Sequence, residues 1–297
     1  MKTNHKINPL ILAVTVLVLL ANGLAHADNI YVSCYLDGTI AKLDSSGHKS
    51  TFASGLSKPT GLAFDSSGYL YVVDTDKIMK FDSSGNRSTF ASGLNGPIGL
   101  AFDRSDNLYA LYAGSYLGGT IEKFDSSGNA TTFASGLNGP DGLAFDSSGY
   151  LYVGSFDSGT ITKLDSSGNG TIFASGLNHP IGLAFDSSDN LYAASHYGGT
   201  ITKFDSSGNG TTFASGLNYP QGLAFDSSGY LYVANFNGWT ITKFDSSGNR
   251  TIFASGLSQP AYIATQVPEP ATLLLLGLGA AVWFDSAHHR LRKKARN

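Results

Sequence analysis

Close copies of one segment fill most of this 297-residue chain, and that repetition constrains the fold more than any other feature. The phenylalanine of the motif FASGL marks each copy and recurs in steps of 38, 43, 40, 40 and 40 residues. It stands at Phe52, Phe90, Phe133, Phe173, Phe213 and Phe253. Each copy contains four short runs, GLAFD, YLYV, TITKF and TTFAS, separated by Gly, Ser, Asp and Asn, and these runs predict β-strands. A period near 40 residues with four strands per copy is typical of a β-propeller blade.

The first copy is incomplete, and its missing part stands at the other end of the repeats. From Asn29 the chain supplies the second, third and fourth strands of a copy but no GLAFD run before them. The segment Gln259–Thr265 follows the last FASGL as GPDGLAF follows an internal one. Five complete copies and one divided copy make six blades, and the divided blade closes the ring. We therefore predict an all-β fold over residues 28–266, a six-bladed β-propeller of four-stranded antiparallel blades whose first blade is closed by the C-terminal strand.

The predicted strands are apolar on both faces. In one copy Leu143 and Phe145 point to one side and Ala144 to the other, and such a sheet needs a neighbour on each side, which radially stacked blades provide. The lone Cys34 is expected to be a small buried residue. Lysines of the third strands are interpreted as structural, with stems that cover apolar surface. They are Lys42, Lys80, Lys123, Lys163, Lys203 and Lys243.

The motif DSSG recurs at the two turn positions of the copies, twice in three of them and once in the other three, and predicts tight hairpin turns. An Asp can bond the backbone two residues on, and a Gly can adopt positive φ. A Ca²⁺ loop is the alternative, but DSSG lacks the alternating carboxylates and closing Glu of that pattern. Five asparagines after these turns also match the N-glycosylation pattern; turn chemistry is the favoured explanation, and glycosylation stays open. They are Asn86, Asn129, Asn169, Asn209 and Asn249.

The pattern P-x-G-L-A-F-D-x-S-G-x-L-Y-V followed by I-x-K-F-D, as in Pro140–Val153 and Ile161–Asp165, resembles the NHL-type repeat of six-bladed propellers. The resemblance covers roughly the whole repeat region. The wider group that it resembles includes lactonase-like and virginiamycin B lyase-like enzymes, and the resemblance implies a metal site rich in carboxylates for the first and a His with a Glu for the second. Neither set can be matched to residues of this chain, and a fold alone does not choose among functions.

Both termini carry patterns that concern export. Residues 1–27 predict a secretory signal peptide, with Lys2 and Lys6 before an apolar run and a small-residue cleavage site at its end. The tail 267–297 begins with Val267, Pro268, Glu269 and Pro270, continues with an apolar segment over 271–284 and ends in basic residues. It resembles the PEP-CTERM sorting signal, which implies an exosortase-type processing enzyme as partner and transient membrane anchoring of the tail before processing. A plain membrane anchor, with 271–284 as a short transmembrane helix, is the alternative.

The charge of the repeat region argues against nucleic acid as a ligand. Residues 28–266 hold twelve Lys or Arg against twenty Asp or Glu, a net charge of −8, whereas binding to nucleic acid requires basic surface. Ligand binding is expected instead where the copies differ, in the connections between second and third strands and between successive copies, which should lie together on one face. Aromatic residues there suit sugar rings or extended peptides, although they could equally cap blade edges. The candidates are Tyr35, Tyr116, Phe156, Tyr197, Tyr219, Phe236 and Trp239.

One constellation in the same connections could perform acid–base chemistry. His179 and His196 belong to one copy, and Asp141 and Asp157 belong to the copy before it, which should form the neighbouring blade. These four residues are the catalytic candidates, and no metal or cofactor is assigned. We predict an exported, surface-associated or biofilm-matrix binding module with a polysaccharide or protein ligand. A lactonase-like or lyase-like propeller enzyme with its site at the channel mouth is the alternative.

Overall fold

The computed structural model describes residues 28–113 and 119–266. The unit Asp28–Gln266 is compact and built from strands alone. The strands are β1 (Asn29–Cys34), β2 (Thr39–Leu43), β3 (Lys49–Ala53), β4 (Leu62–Phe64), β5 (Leu70–Asp74), β6 (Lys77–Phe81), β7 (Arg87–Ser92), β8 (Pro97–Phe102), β9 (Leu108–Tyr112), β10 (Gly119–Phe124), β11 (Ala130–Leu137), β12 (Pro140–Phe145), β13 (Leu151–Ser155), β14 (Thr160–Leu164), β15 (Gly170–Ala174), β16 (Pro180–Phe185), β17 (Leu191–Ser195), β18 (Thr200–Phe204), β19 (Gly210–Ala214), β20 (Pro220–Phe225), β21 (Leu231–Asn235), β22 (Thr240–Phe244), β23 (Arg250–Ser255) and β24 (Pro260–Gln266).

These strands form six antiparallel sheets of four, which are the six predicted blades. Blades 2 to 6 follow the chain as β4–β7, β8–β11, β12–β15, β16–β19 and β20–β23. Blade 1 has the order β24, β1, β2, β3, and β24 pairs with β1 through Ile30 opposite Thr265 and Val32 opposite Ile263. The predicted closure of the first blade by the C-terminal strand is therefore confirmed.

The first strand of each sheet faces the axis of the ring. Strands β4, β8, β12, β16, β20 and β24 contact one another in that order, and β24 also contacts β4. Glycines allow their close approach, since a Cβ added to Gly142 would overlap the carbonyl oxygen of Ile181 and one added to Gly182 would overlap that of Gln221. The inner strands therefore pack backbone against backbone around a narrow channel.

Between the blades, one aromatic arrangement repeats. Tyr152 of the second strand packs edge-on against Phe173 of its own outer strand and Phe185 of the next blade, with both pairs of ring centroids 5.0 Å apart. Four other blade junctions hold the same three rings, and at the junction of blades 6 and 1 Thr265 replaces the third ring. Edge-to-face pairs of this kind add about 0.5–1.5 kcal/mol beyond the area that they bury. The apolar faces predicted from the sequence meet in these junctions.

The third-strand lysines lie over the same tyrosines, which confirms their structural role. Lys163 Nζ lies 5.1 Å from the ring centroid of Tyr152, and the other five lysines repeat this contact at 4.9–5.5 Å. A cation over an aromatic ring is favourable, and the stem covers apolar surface. Cys34 is also buried as predicted, and burial raises the pKa of its thiol.

The DSSG turns hold together through their aspartates. In the turn after β14, Asp165 Oδ1 accepts hydrogen bonds from the backbone N–H groups of Ser167 at 2.8 Å and Asn169 at 3.0 Å. The side-chain amide of Asn169 donates to the other carboxylate oxygen at 3.1 Å. These bonds lower the pKa of Asp165, the amide bond of Asn169 being the main cause. Turn chemistry is thus confirmed as a reason for asparagine at these positions.

A second contact joins neighbouring blades at every second junction, at the same end of the molecule. Ser66 of blade 2 donates its backbone N–H and its hydroxyl to the carboxylate of Asp106 in blade 3. Ser147 of blade 4 binds Asp189 of blade 5 in the same way, and Ser227 of blade 6 binds Asp28 of blade 1. We call each of these contacts an Asp–Ser clasp. The clasps join blades 2 and 3, 4 and 5, and 6 and 1, so the ring consists of three two-blade pairs.

Candidate binding face

The two ends of the propeller differ in how they are built. In each blade, the turns between first and second strands and between third and fourth strands lie at one end, which we call the turn face. The connections between second and third strands and between successive blades lie at the opposite end, which we call the loop face. This division follows from the antiparallel order of the strands. The aromatic and histidine candidates of the sequence analysis that the structure describes lie in connections of the loop face.

Five of these side chains form one cluster across blades 4, 5 and 6. The ring of Phe156 lies 4.4 Å from that of His179 and 5.6 Å from that of Tyr197. The ring of His196 lies 5.0 Å from those of Tyr197 and Tyr219. Tyr197 is 57% exposed and Tyr219 is 38% exposed, so the cluster offers open aromatic faces to solvent. We call these five residues the aromatic cluster.

The two histidines have different surroundings inside this cluster. His196 is buried, and its Nδ1 atom has no hydrogen-bond partner among the described residues. Burial lowers the pKa of His196, while a hydrogen bond to the Pro220 carbonyl opposes that shift and the nearby His179 adds to it. His179 is half-buried and places its Nδ1 atom 2.7 Å from Oδ1 of Asn178. The structure therefore brings the two predicted histidines together.

A smaller aromatic group lies at blades 6 and 1. The rings of Tyr35 and Phe236 are 6.0 Å apart, and Lys58 Nζ lies 5.6 Å from the centroid of Tyr35. Trp239 is 49% exposed and makes no aromatic pair in the part of the chain that the structure covers. Tyr116, the remaining candidate, lies outside the described residues.

Several of these side chains occupy backbone conformations that other copies give to glycine. Trp239 has φ 57°, and its N–H bonds to the carbonyl of Asn235. The same bond is made in three other blades by Gly38, Gly159 and Gly199, also at positive φ. A bulky residue in this region is strained by about 1–3 kcal/mol, whereas glycine is not.

The residue before the proline at the start of each inner strand also has positive φ, and some copies have glycine there while others do not. Glycine occupies the position at Gly96 and Gly139, with φ 65° and 56°. His179 and Tyr219 of the aromatic cluster hold it with φ 58° and 55°, and Lys58 and Gln259 hold it with φ 55° and 51°. The sequence shows these replacements, but only the backbone angle reveals that they are strained. Large side chains therefore stand on the loop face at positions where glycine would be more stable.

The channel is crossed by a single side chain from the C-terminal strand. Tyr262 of β24 stands where the other five inner strands have glycine. Its hydroxyl donates to Oδ1 of Asp141 at 2.6 Å and lies 3.2 Å from the Asp141 carbonyl oxygen. Blade 1, which contains β24, and blade 4, which contains Asp141, are three blades apart in a ring of six, so this contact spans the channel.

Burial in the channel changes the ionisation of both groups. It raises the pKa of Asp141, and the hydrogen bond from Tyr262 offsets part of that effect. Burial and the Asp141 carboxyl also raise the pKa of Tyr262. The hydrogen bonds of Asp141 thus lead to Tyr262 and not to a histidine. Asp157 lies beside Gly139, where a Cβ added to the glycine would overlap its carboxylate. No group of three or more His, Cys, Asp or Glu residues within 28–113 and 119–266 is arranged to hold a metal ion.

The fold and the tail define an exported class of protein, a propeller that carries a sorting signal. Residues 266–284 match the PEP-CTERM protein-sorting motif, which indicates export, sorting to the envelope and processing by an exosortase-type enzyme. The predicted signal peptide over 1–27 and the tail over 267–297 lie outside the described residues. Residues 28–113 and 119–266 include no helix long and apolar enough to cross a membrane.

Solved structures share the propeller fold at low sequence identity. A chain of a nidogen/laminin complex aligns with a TM-score of 0.71 and 20% identity over 80% of this chain and 98% of that chain. A gluconolactonase from Xanthomonas campestris aligns at 0.64 and 18%, over 80% and 88%. A virginiamycin B lyase from Staphylococcus aureus aligns at 0.61 and 16%, over 82% and 90%. No curated protein matched the sequence. These structures establish similarity of fold and no more.

Proposed function

We propose that this protein is an exported binding and scaffold module of the cell surface or extracellular matrix, and that its loop face binds polysaccharide through the aromatic cluster and Trp239. The observation that carries this proposal is the strained backbone. Trp239 occupies a left-handed position that three other blades fill with glycine, and His179 and Tyr219 occupy one that two other blades fill with glycine. Such strain persists where the side chain serves a purpose other than stability.

Carbohydrate is the ligand class that this surface suits best. The exposed rings of Tyr197, Tyr219 and Trp239 offer flat apolar faces on which sugar rings stack. His179 and Asn178 lie beside them with polar atoms that can bond to sugar hydroxyls. Extended peptides share these requirements, so a protein ligand is the second outcome of the binding test.

A propeller enzyme of lactonase-like or lyase-like type is the second candidate function. It is favoured by the unpartnered Nδ1 atom of the buried His196, because its lowered pKa leaves the ring neutral and able to accept a proton near pH 7. If the protein is such an enzyme, His196→Ala abolishes turnover of a lactone or polysaccharide. Binding without turnover, in contrast, supports the scaffold.

A matched pair of tyrosines tests the binding proposal. Tyr219 on the loop face and Tyr230 on the turn face are both 38% exposed. Tyr219→Ala should weaken binding to purified exopolysaccharide about three- to tenfold, since one stacked aromatic ring contributes about 0.5–1.5 kcal/mol. Tyr230→Ala should leave affinity unchanged. Equal losses from both variants in titration calorimetry would refute the loop face as the binding face.

Sorting is tested separately on the tail. We propose that the exosortase-type enzyme removes the basic end, with Pro268, Glu269 and Pro270 as its recognition motif. Replacing these three residues with Ala should leave the protein bound to the membrane and unprocessed. Mass spectrometry of the mature protein that detects Arg290–Asn297 would contradict cleavage and favour a retained anchor.

A further inference from the structure

The junction between blades 3 and 4 lacks the Asp–Ser clasp on the turn face, as do the junctions of blades 5 and 6 and of blades 1 and 2, where Gly229 and Gly68 stand at the aspartate position. In the clasped junctions, a serine such as Ser66 faces an aspartate such as Asp106. At the junction of blades 3 and 4 both partners are replaced, since Arg104 occupies the serine position and Gly149 the aspartate position. In the junction of blades 5 and 6 only the aspartate is replaced, because Ser187 is retained.

An open groove lies between blades 3 and 4 beside the position of the missing clasp. Its volume is about 500 Å³. Phe133 and Phe145 form part of its floor, and the turns of both blades form its walls, with Ser105 and Ser166 contributing hydroxyl groups. Arg104 lines the same groove and is exposed. The groove thus combines half-buried aromatic rings, hydroxyls and a guanidinium group.

The charges around the groove leave Arg104 as the free cation. Lys123 Nζ lies 3.7 Å from Asp103, and Lys163 Nζ lies 3.7 Å from Asp146, so the two lysines and two aspartates neutralise each other. Arg104 forms no ion pair with any residue that the structure describes.

We propose that this groove binds a carboxylated sugar unit, a uronate of an acidic polysaccharide. Guanidinium and carboxylate groups form two parallel hydrogen bonds, a geometry that Arg provides and Lys does not. Serine hydroxyls in the walls bond to sugar hydroxyls, and the faces of Phe133 and Phe145 contact the C–H groups of the ring. The site lies on the turn face, opposite the aromatic cluster. One molecule can therefore hold two polysaccharide chains, one on each face, and cross-link them.

The groove can be tested with residues that the repeats already use. The probe is a short oligogalacturonate, titrated into the full mature protein, with a neutral glucan oligomer of equal length for comparison. Arg104→Ser installs the serine of the other copies and should lower oligogalacturonate affinity at least tenfold, since a hydrogen-bonded charge pair of this kind is lost. Glucan binding on the loop face should not change. Affinity of the parent for oligogalacturonate should fall as salt is raised.

A second variant should close the groove by restoring the Asp–Ser clasp, and it leaves the aromatic rings below the groove unchanged. Arg104→Ser with Gly149→Asp recreates the Asp–Ser clasp, because a Cβ at Gly149 meets nothing within 4 Å and Asp106 and Asp189 adopt φ 58° and 59° at the equivalent positions. This double variant should retain or raise the melting temperature and abolish oligogalacturonate binding. Gly229→Asp, which builds the same clasp opposite Ser187, is the matched control and should bind as the parent does.

Three outcomes would overturn the proposal. Arg104→Ser could bind oligogalacturonate as tightly as the parent, Gly229→Asp could lose as much affinity as the double variant, or inorganic phosphate at equal ionic strength could bind more tightly than the oligomer. Tyr219→Ala separates this site from the loop face. If Tyr219→Ala loses glucan binding and keeps oligogalacturonate binding, the two sites are independent. If the Arg104 variants show that the groove does not bind oligogalacturonate, the loop-face proposal still stands.

Discussion

The two ends of this propeller come from the same repeat, yet one is nearly uniform and the other is not. On the turn face, an aspartate accepts the same two backbone hydrogen bonds in turn after turn, as Asp82, Asp125 and Asp205 show. On the loop face, one position holds Gly199 in blade 5 and Trp239 in blade 6. Local turn chemistry fixes the residues of the turn face. Residues of the loop-face connections are free to vary, because closure of the ring does not depend on them. The turn face therefore serves mainly architecture, apart from the groove at Arg104, and the variable residues of the loop face are available for binding.

The largest expected effect comes from removing the strand that closes the ring. Deleting residues 260–266 removes β24, exposes the edge of β1 and leaves the channel wall open. We expect loss of cooperative folding and aggregation, because unpaired strand edges pair with other chains. Light scattering and thermal unfolding measure this, with a variant cut after Gln266 as control. A truncated protein that stays monomeric and melts within a few degrees of the control would contradict ring closure.

The channel contact should have the next largest effect. Tyr262→Phe removes the hydroxyl that donates to Asp141 and leaves a half-buried carboxyl without that partner. Such a loss costs about 1–3 kcal/mol of unfolding free energy. Denaturant unfolding of Tyr262→Phe, Asp141→Asn and the double variant isolates the pair in a double-mutant cycle. A coupling energy near zero would show that the contact across the channel does not stabilise the ring.

Breaking the clasp between Asp28 and Ser227, which joins blades 6 and 1, should have a smaller effect on stability. The clasps at the other junctions serve as controls. Asp28→Ala removes the bonds to Ser227 that join blades 6 and 1, whereas Asp189→Ala removes the equivalent bonds between two blades that are continuous in sequence. We expect Asp28→Ala to be the more destabilising, by about 1–2 kcal/mol in total. Equal effects in denaturant unfolding would mean that all clasps act alike and that ring closure depends on β24 alone.

Most of the fold was predictable because it follows from short-range patterns. The period, the four strands and the DSSG turns are repeated many times, and the divided first blade is visible as a missing GLAFD run. Tyr262 gave a signal as well, since it replaces the glycine of five other copies, but its partner Asp141 lies 121 residues away. Only the size of the closed ring determines that these two meet.

The candidate site was predictable in composition and less so in arrangement. The loop-face aromatics stand out when copies are compared, and the contacts between His179, His196 and Tyr219 depend on how blades 4 to 6 pack. The turn between first and second strands ends in Gly-Tyr in some copies, as at Gly68-Tyr69, and in Asp-Asn in others, as at Asp106-Asn107. The sequence shows this alternation between copies but not its structural role. It becomes a clasp only when neighbouring blades place Ser66 against Asp106.

Lowering the pH should destabilise the two faces in different pH ranges. The loss of stability that comes from the loop face should be the smallest effect of the series. Because the pKa of buried His196 is lowered, its contribution is present above the ordinary value of 6.5 and is lost progressively as pH falls from that value through the lowered pKa of the folded protein. Turn aspartates such as Asp125 have lowered pKa values, so their contribution is lost only as pH falls below the ordinary 3.8. His196→Gln should remove the upper step from melting temperatures measured between pH 7.5 and 3. An unchanged upper step would contradict burial of a neutral His196.

The most direct test of this division between architecture and binding is Trp239→Gly, with stability and affinity measured on the same protein. Glycine occupies this position in three other blades, and the replacement relieves a left-handed tryptophan that is 49% exposed. We predict that the melting temperature stays the same or rises, since relief of about 1 kcal/mol of strain offsets the greater freedom of glycine in the unfolded chain. Polysaccharide affinity should fall at least threefold. A variant that melts lower and binds as well as the parent would contradict the account, because Trp239 would then serve the fold and not the ligand.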